Sequence, residues 1–365
     1  MEEFNKSSNL TLVHALLKGD ELQAPIIAVT MGDAAGIGPE VTVKTLLSRD
    51  VWEVARPVAV GDCEVIRDVC RAANLDCGKI KPVDRVKDAD FRFGILNLLD
   101  KRNIRLKDLV LGRPQAMAGK AAFEYVETAV KLALEKRVDG IATAPINKEA
   151  LRTAGYPFPG HTEILAHLTG GKKYAMMFVV GNRRVILVTI HAPLKEVPRL
   201  ITRARVHDVV TLADDAAQDL GVVKPRIAVA GLNPHAGESG LFGDEELTTI
   251  MPAIADAKAR GICVEGPFPA DSVFYRAFEK GEFDIVAAMY HDQGCIPIKL
   301  VGFESAVNVT VGLPIVRTSV DHGTAYDLVL ARRGGANPQS LIEAVKMAAR
   351  IAANRQRREA SLGGA

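Results

Sequence analysis

Nothing in this chain is long and apolar enough to cross a bilayer: no hydrophobic run approaches the roughly 18 residues that a membrane helix needs. Charge of one sign is missing too. Lysine and arginine total 46 against 44 aspartates and glutamates, a net charge of +2. No basic stripe appears apart from the tail around 355–358, which reads as the solvated end of a helix, so neither nucleic acid nor membrane is an expected partner. The five cysteines are odd in number and lack C-x-x-C spacing. They read as reduced thiols of a cytoplasmic protein, with Cys295 a small buried hydrophobe. Neither a Gly-Lys-Ser/Thr phosphate loop nor a G-x-G-x-x-G fingerprint occurs. The start carries Glu2, Glu3 and Asp20 around Leu10–Leu17, where a signal peptide wants basic residues, so residues 1–24 are expected to be an extension outside the core. Internal repeats and low-complexity linkers are absent.

What is present is an ordinary globular composition, 48% hydrophobic and 25% charged. A length of 365 residues exceeds what one core usually serves, which predicts two domains. Apolar strand patterns (Pro25–Asp33, Arg56–Asp62, Phe93–Leu99, Gly140–Ala144) alternate with helical spacing, most clearly over Met117–Lys136. That rhythm predicts a parallel sheet covered by helices. Tyr174–Val180 and Arg184–His191, joined by Gly181-Asn182, read instead as an antiparallel hairpin in a second, mixed sheet. The expected division is 25–155 plus 325–358 for one α/β/α subdomain and 156–324 for the other.

Polar, glycine-rich clusters follow the strands, where ligands bind in open α/β sheets. Gly32-Asp33-Ala34-Ala35-Gly36-Ile37-Gly38-Pro39-Glu40 turns a strand into a helix whose N-terminus suits an anion; a tight turn without ligand explains it equally well. Gly160-His161-Thr162-Glu163 opens a helix, either as an anion site or with Thr162 as a cap. Lys299, Asn308 and Arg317 lie in a largely apolar, strand-rich stretch and suit a phosphate and a carboxylate. Three histidines each follow a strand: His191, His235 in Leu232-Asn233-Pro234-His235-Ala236-Gly237-Glu238, and His291 in His291-Asp292-Gln293-Gly294. They are too far apart in sequence for a structural zinc motif. Three protein ligands with an open position is the pattern of a catalytic metal, and three equivalent placements favour that over three unrelated hydrogen-bonding histidines.

Taken together, GDxAGIGPE, GHTE, LNPHAGE, YHDQG and RTSxDHGTA occur in one order from about Pro25 to Asn337. They resemble the 4-hydroxythreonine-4-phosphate dehydrogenase family, including its phosphorylated threonate and erythronate branch. Ala34 departs from the family's usual proline. The resemblance implies an α/β fold of the isocitrate and isopropylmalate dehydrogenase type, with a cleft between two α/β/α subdomains and a homodimer whose active sites are shared. It implies a metal on His191, His235 and His291, and substrate contacts from His161, Thr162, Lys299, Asn308 and Arg317. By analogy with the isocitrate and isopropylmalate enzymes, Gly323, Thr324 and Asn337 lie near NAD, although Tyr326 replaces a proline usual there.

The expected activity is oxidation and decarboxylation of a four-carbon 4-phosphorylated hydroxy acid, with NAD taking the hydride and a divalent metal (zinc, cobalt or nickel, with manganese or magnesium also compatible) as Lewis acid. Asp292, Lys299 and Asp271 are the candidates for proton transfer. Met31, Phe242-Gly243-Asp244-Glu245 and Ile296-Pro297-Ile298 lean towards the sugar-acid branch, hence 4-phospho-D-threonate or 4-phospho-D-erythronate. The alternatives are 4-phosphohydroxy-L-threonine, a cis-dihydrodiol carboxylate, or, from other classes, a metal-dependent hydrolase or aldolase and a non-catalytic binder.

Overall fold

The computed structural model describes residues 23–331 and 334–363. Nearly all of the expected extension, residues 1–22, lies outside the described residues. The chain divides into two compact units, one running up to Gly160 and resuming at His322, the other spanning His161–Asp321.

The first unit is built on five parallel strands: β1 (Ile26–Thr30), β2 (Arg56–Gly61), β3 (Lys79–Val83), β4 (Ile95–Asp100) and β5 (Gly140–Thr143), in the order β3-β4-β2-β1-β5. β1 and β5 are apolar along nearly their whole length because helices bury both faces. The Ala116–Leu134 helix is one of those covers, with Ala118, Ala122, Tyr125, Val126 and Ala129 buried at helical spacing. β3 had no clear sequence signal. It is an edge strand, Lys-Ile-Lys-Pro-Val, whose lysines and proline keep the open edge from pairing further.

One expectation is corrected here. Cys70 and Cys77 form a disulfide, with Cα atoms 6.0 Å apart. The helix Cys63–Ala72 ends just past Cys70, and Asn74 in the left-handed region (φ 51°) reverses the chain so that Cys77 comes back beside it. Cys63, Cys263 and Cys295 are free. Burial pushes the Cys295 thiol up to about 12, as befits an inert core residue.

The second unit carries a mixed sheet of β6 (Ala175–Val180), β7 (Arg183–Leu187), β8 (Ile227–Ala230), β9 (Val264–Phe268), β10 (Ile285–Ala288), β11 (Val307–Val311) and β12 (Arg317–Ser319), in the order β12-β11-β6-β7-β10-β8-β9. β6 and β7 form the expected hairpin, Val180 pairing with Arg183 across Gly181 at φ 57°. The sheet is antiparallel from β12 to β7 and parallel from β7 to β9. Phe178, Leu187, Val286 and Ala288 form its core with Phe274, Cys295 and Ile298 from covering helices. Each large side chain so buried contributes about 1.5–3 kcal/mol.

The stretch around Lys299 is helical rather than extended, over His291–Gly302, with Pro297 inside it. β-branched residues and the proline hid this helix in the sequence. Burial of Gly294, Cys295 and Ile298 against the sheet outweighs the lost backbone hydrogen bond. Among the described residues, no helix is long and apolar enough to cross a membrane.

Candidate active site

β11 and β12 line up four polar side chains. Asn308 pairs with Ser319 and Thr310 with Arg317 across the antiparallel ladder, and alternation puts all four on one face of the sheet. Arg317 is only 1% exposed, and its guanidinium donates to Thr310 Oγ1 at 2.8 Å. Burial lowers its pKa to about 9, opposed by the nearby Glu163 carboxylate, so it remains a cation at neutral pH. His161 and buried Thr162 begin the His161–Thr169 helix. Burial, with Arg317 nearby, holds the His161 imidazole well below its ordinary pKa, so the ring is neutral. The buried His161 Nε2, Glu163 Oε2 and Asn308 Oδ1 have no hydrogen-bond partner among the described residues. Such orphaned polar atoms around a buried guanidinium are costly unless a polar ligand completes them. Lys299 Nζ lies 3.0 Å from Asp321 Oδ2.

The three histidines follow β7, β10 and β8, which are adjacent parallel strands, with Leu187 in register with Ala288 and Val229 with Ala287. All three therefore leave the sheet at its carboxyl edge. The rings of His191 and His291 are 5.7 Å apart, close to the separation of about 5 Å for two imidazoles sharing one ion. His291 Nδ1 sits 2.7 Å from Asp292 Oδ1, which fixes the ring and leaves Nε2 to bind. His235 is not drawn in. It begins a run of left-handed residues through Ser239, and its ring lies 6.2 Å from Phe242. Among the described residues, no three His, Cys, Asp or Glu side chains gather closely enough to hold a metal ion. Donor type and backbone placement fit such an ion; the position of the His235 ring does not.

Buried Glu246 anchors the His235 loop. One of its oxygens accepts the Leu232 and Asn233 amides at 2.8 Å each, and the other accepts Asn233 Nδ2 at 3.0 Å. Sequence reading missed it, although an acidic residue early in the helix after LNPHAGE was the available signal. Asp271 is exposed in the first turn of the Ala270–Phe278 helix.

In the first unit the glycines of the GDxAGIGPE motif serve backbone approach. A Cβ on Gly38 would stand 2.3 Å from Met31 O, and one on Gly36 2.7 Å from Thr324 O. Ile37 N donates to that same Thr324 carbonyl at 3.0 Å. Asp33 accepts from Ala35 N and from the Tyr326 hydroxyl, 2.8 Å each, and burial raises its pKa. Open space surrounds Gly323, while Asn337 Oδ1 accepts from Gln339 N and so caps the last helix.

Residues 53–348 match the family described as pyridoxal phosphate biosynthetic protein PdxA. The chain belongs to this family. Two relatives named D-threonate 4-phosphate dehydrogenase, from Cupriavidus necator and Salmonella typhimurium, are each 46% identical to it, over 332 and 331 residues. These matches cover 91% of this chain and 98% and 100% of the relatives. The crystal structure of 4-hydroxythreonine-4-phosphate dehydrogenase from Klebsiella pneumoniae superposes with a TM-score of 0.82 at 43% identity, covering 90% of this chain and all of that one. The resemblance read from the motifs is thus the right one, and so is the expected α/β fold of isocitrate dehydrogenase type. As a member of the PdxA family the chain is a dehydrogenase, an oxidoreductase.

Proposed function

We propose that this chain oxidises and decarboxylates 4-phospho-D-threonate or 4-phospho-D-erythronate, giving dihydroxyacetone phosphate and CO2, with NAD as oxidant and one divalent metal per site. The observation that carries the reading is the buried Arg317, aligned with Asn308 and Thr310 on one sheet face and close to neutral His161. That cluster suits a small polyanion. Near-full-length relatives named for D-threonate 4-phosphate support the choice of acid.

In this reading His161, Thr162, Asn308, Arg317 and Lys299 bind and orient the phosphorylated acid. His191, His235 and His291 would hold the metal, and the backbone near Gly323, Thr324 and Asn337 would hold NAD. When bound, the ion would supply Lewis-acid polarisation of the hydroxyl and the dinucleotide an acceptor for the hydride, and the β-keto acid so formed would lose CO2. Lys299 Nζ, oriented by its ion pair with Asp321 at 3.0 Å, is the preferred proton donor to the carbon left by CO2 loss. Asp292, already engaged with His291, and Asp271 are the weaker candidates.

We further propose a cytoplasmic homodimer with shared sites. Ile296, Leu300 and Phe303 recur at helical spacing on one exposed stripe of the His291–Gly302 helix and its end, the kind of surface a second copy covers. Likeness to the Klebsiella 4-hydroxythreonine-4-phosphate dehydrogenase favours one other substrate, 4-phosphohydroxy-L-threonine. The test is a panel of phosphorylated four-carbon acids with NAD or NADP and several divalent metals. NADH formation and dihydroxyacetone phosphate from the threonate or erythronate ester are expected. Turnover of the amino acid alone would reassign the substrate, and turnover without any nicotinamide would sink the reading.

A further inference from the structure

The GIGPE segment and the Gly334–Pro338 segment (GGANP), far apart in sequence, are tied together by two side chains one helical turn apart. Glu40 and Lys44 lie on the Gly38–Leu46 helix, 2.7 Å from each other. Glu40 accepts the amide of Gly334 through Oε2 at 2.9 Å and that of Ala336 through Oε1 at 2.8 Å. Lys44 Nζ donates to the carbonyls of the same two residues, at 2.9 Å and 2.7 Å. One acidic and one basic side chain thus satisfy both backbone groups of alternate residues, as a neighbouring strand would. Gly334 takes φ 89°, and a Cβ there would come 3.2 Å from Ala73 O, so this position of the turn calls for glycine. Charge-assisted bonds of this kind fix a turn that its own glycine-rich sequence would leave loose.

We infer that the Glu40–Lys44 pair is a positioning device for the dinucleotide, holding the Gly334–Asn337 turn in its binding shape before the cofactor arrives. The inference rests on the proposal that this turn lies against NAD. A turn only fractionally in its competent shape weakens apparent affinity by that fraction and leaves chemistry at saturation alone. The pair touches neither the phosphorylated acid's residues nor the histidines, so its loss should act on one ligand only.

The test is calorimetric titration of the full chain with NADH, alongside steady-state kinetics, for wild type, Glu40→Gln, Lys44→Met and Lys44→Arg. Expected are a rise of about tenfold in Kd and in KM for the dinucleotide in the first two variants, with kcat at saturating cofactor and KM for the acid unchanged. Lys44→Arg should recover most of the affinity. Lys44 is 18% exposed at its side chain, so Lys44→Met decides the matter if Glu40→Gln fails to fold. Unchanged dinucleotide affinity in Lys44→Met, or an equal loss for both ligands, overturns the positioning role alone. If the wild type binds no nicotinamide dinucleotide, the cofactor reading itself falls and takes this inference with it.

Discussion

Arg317 and Thr310 face one another across the β11–β12 ladder, guanidinium to hydroxyl at 2.8 Å, with the charge almost wholly removed from solvent. A buried cation suits an anionic group of a ligand, and the orphaned Glu163 Oε2 and Asn308 Oδ1, both acceptors, suit hydroxyl donors on the same ligand. Arg317→Met should therefore cut kcat/KM for the phosphorylated acid on the order of a hundredfold or more. Because the substitution strips the Thr310 hydroxyl and the nearby Glu163 carboxylate of their cation, the melting temperature should fall, and the kinetics are read on protein whose circular dichroism spectrum shows it folded. Full activity in this variant would remove Arg317 from substrate binding.

Neutral, buried His161 makes a prediction about acid. Its folded pKa is depressed below 6.5, so the unfolded chain takes up the proton first, and the stability it contributes is present above pH 6.5 and lost as pH falls below it. Thermal unfolding followed between about pH 7.5 and 5.5 should show a decline that flattens in His161→Gln. An unchanged slope would mean that other groups govern the acid limb.

Asp292 is 74% exposed at its side chain yet locked onto His291. Asp292→Ala should weaken divalent-metal binding about 10- to 100-fold by equilibrium dialysis, and His235→Ala should abolish turnover in a folded protein. Chelator should remove activity from the wild type, with added metal restoring it. Full turnover in metal-free buffer would contradict the role given to all three histidines.

Leu300 is 85% exposed beside Ile296 and Phe303. Leu300→Asp should shift the sedimentation coefficient from dimer to monomer while leaving the circular dichroism spectrum unchanged. A wild type that sediments as a monomer at micromolar concentration would remove the shared-site proposal.

The chain's order of residues determined more than its composition did. Apolar runs such as those of β1 and β5, and the hairpin turn at Gly181-Asn182, were legible because periodicity and turn chemistry are local properties. The motifs carried the family for a related reason: their spacing is kept by the backbone they shape, as Gly36 and Gly38 show by leaving no room for a Cβ. The helix around Lys299 was not legible, since its local propensities contradict it and only packing of Cys295 and Ile298 against a distant sheet decides it. The Cys70–Cys77 bond depended on one left-handed residue between the two. Glu40 and Lys44 meeting Gly334 and Ala336, and Glu246 holding the His235 loop, join segments whose proximity no periodicity encodes. Tertiary structure alone decided these pairings, because long-range contacts come from how the layers stack, and that stacking is a property of the whole chain.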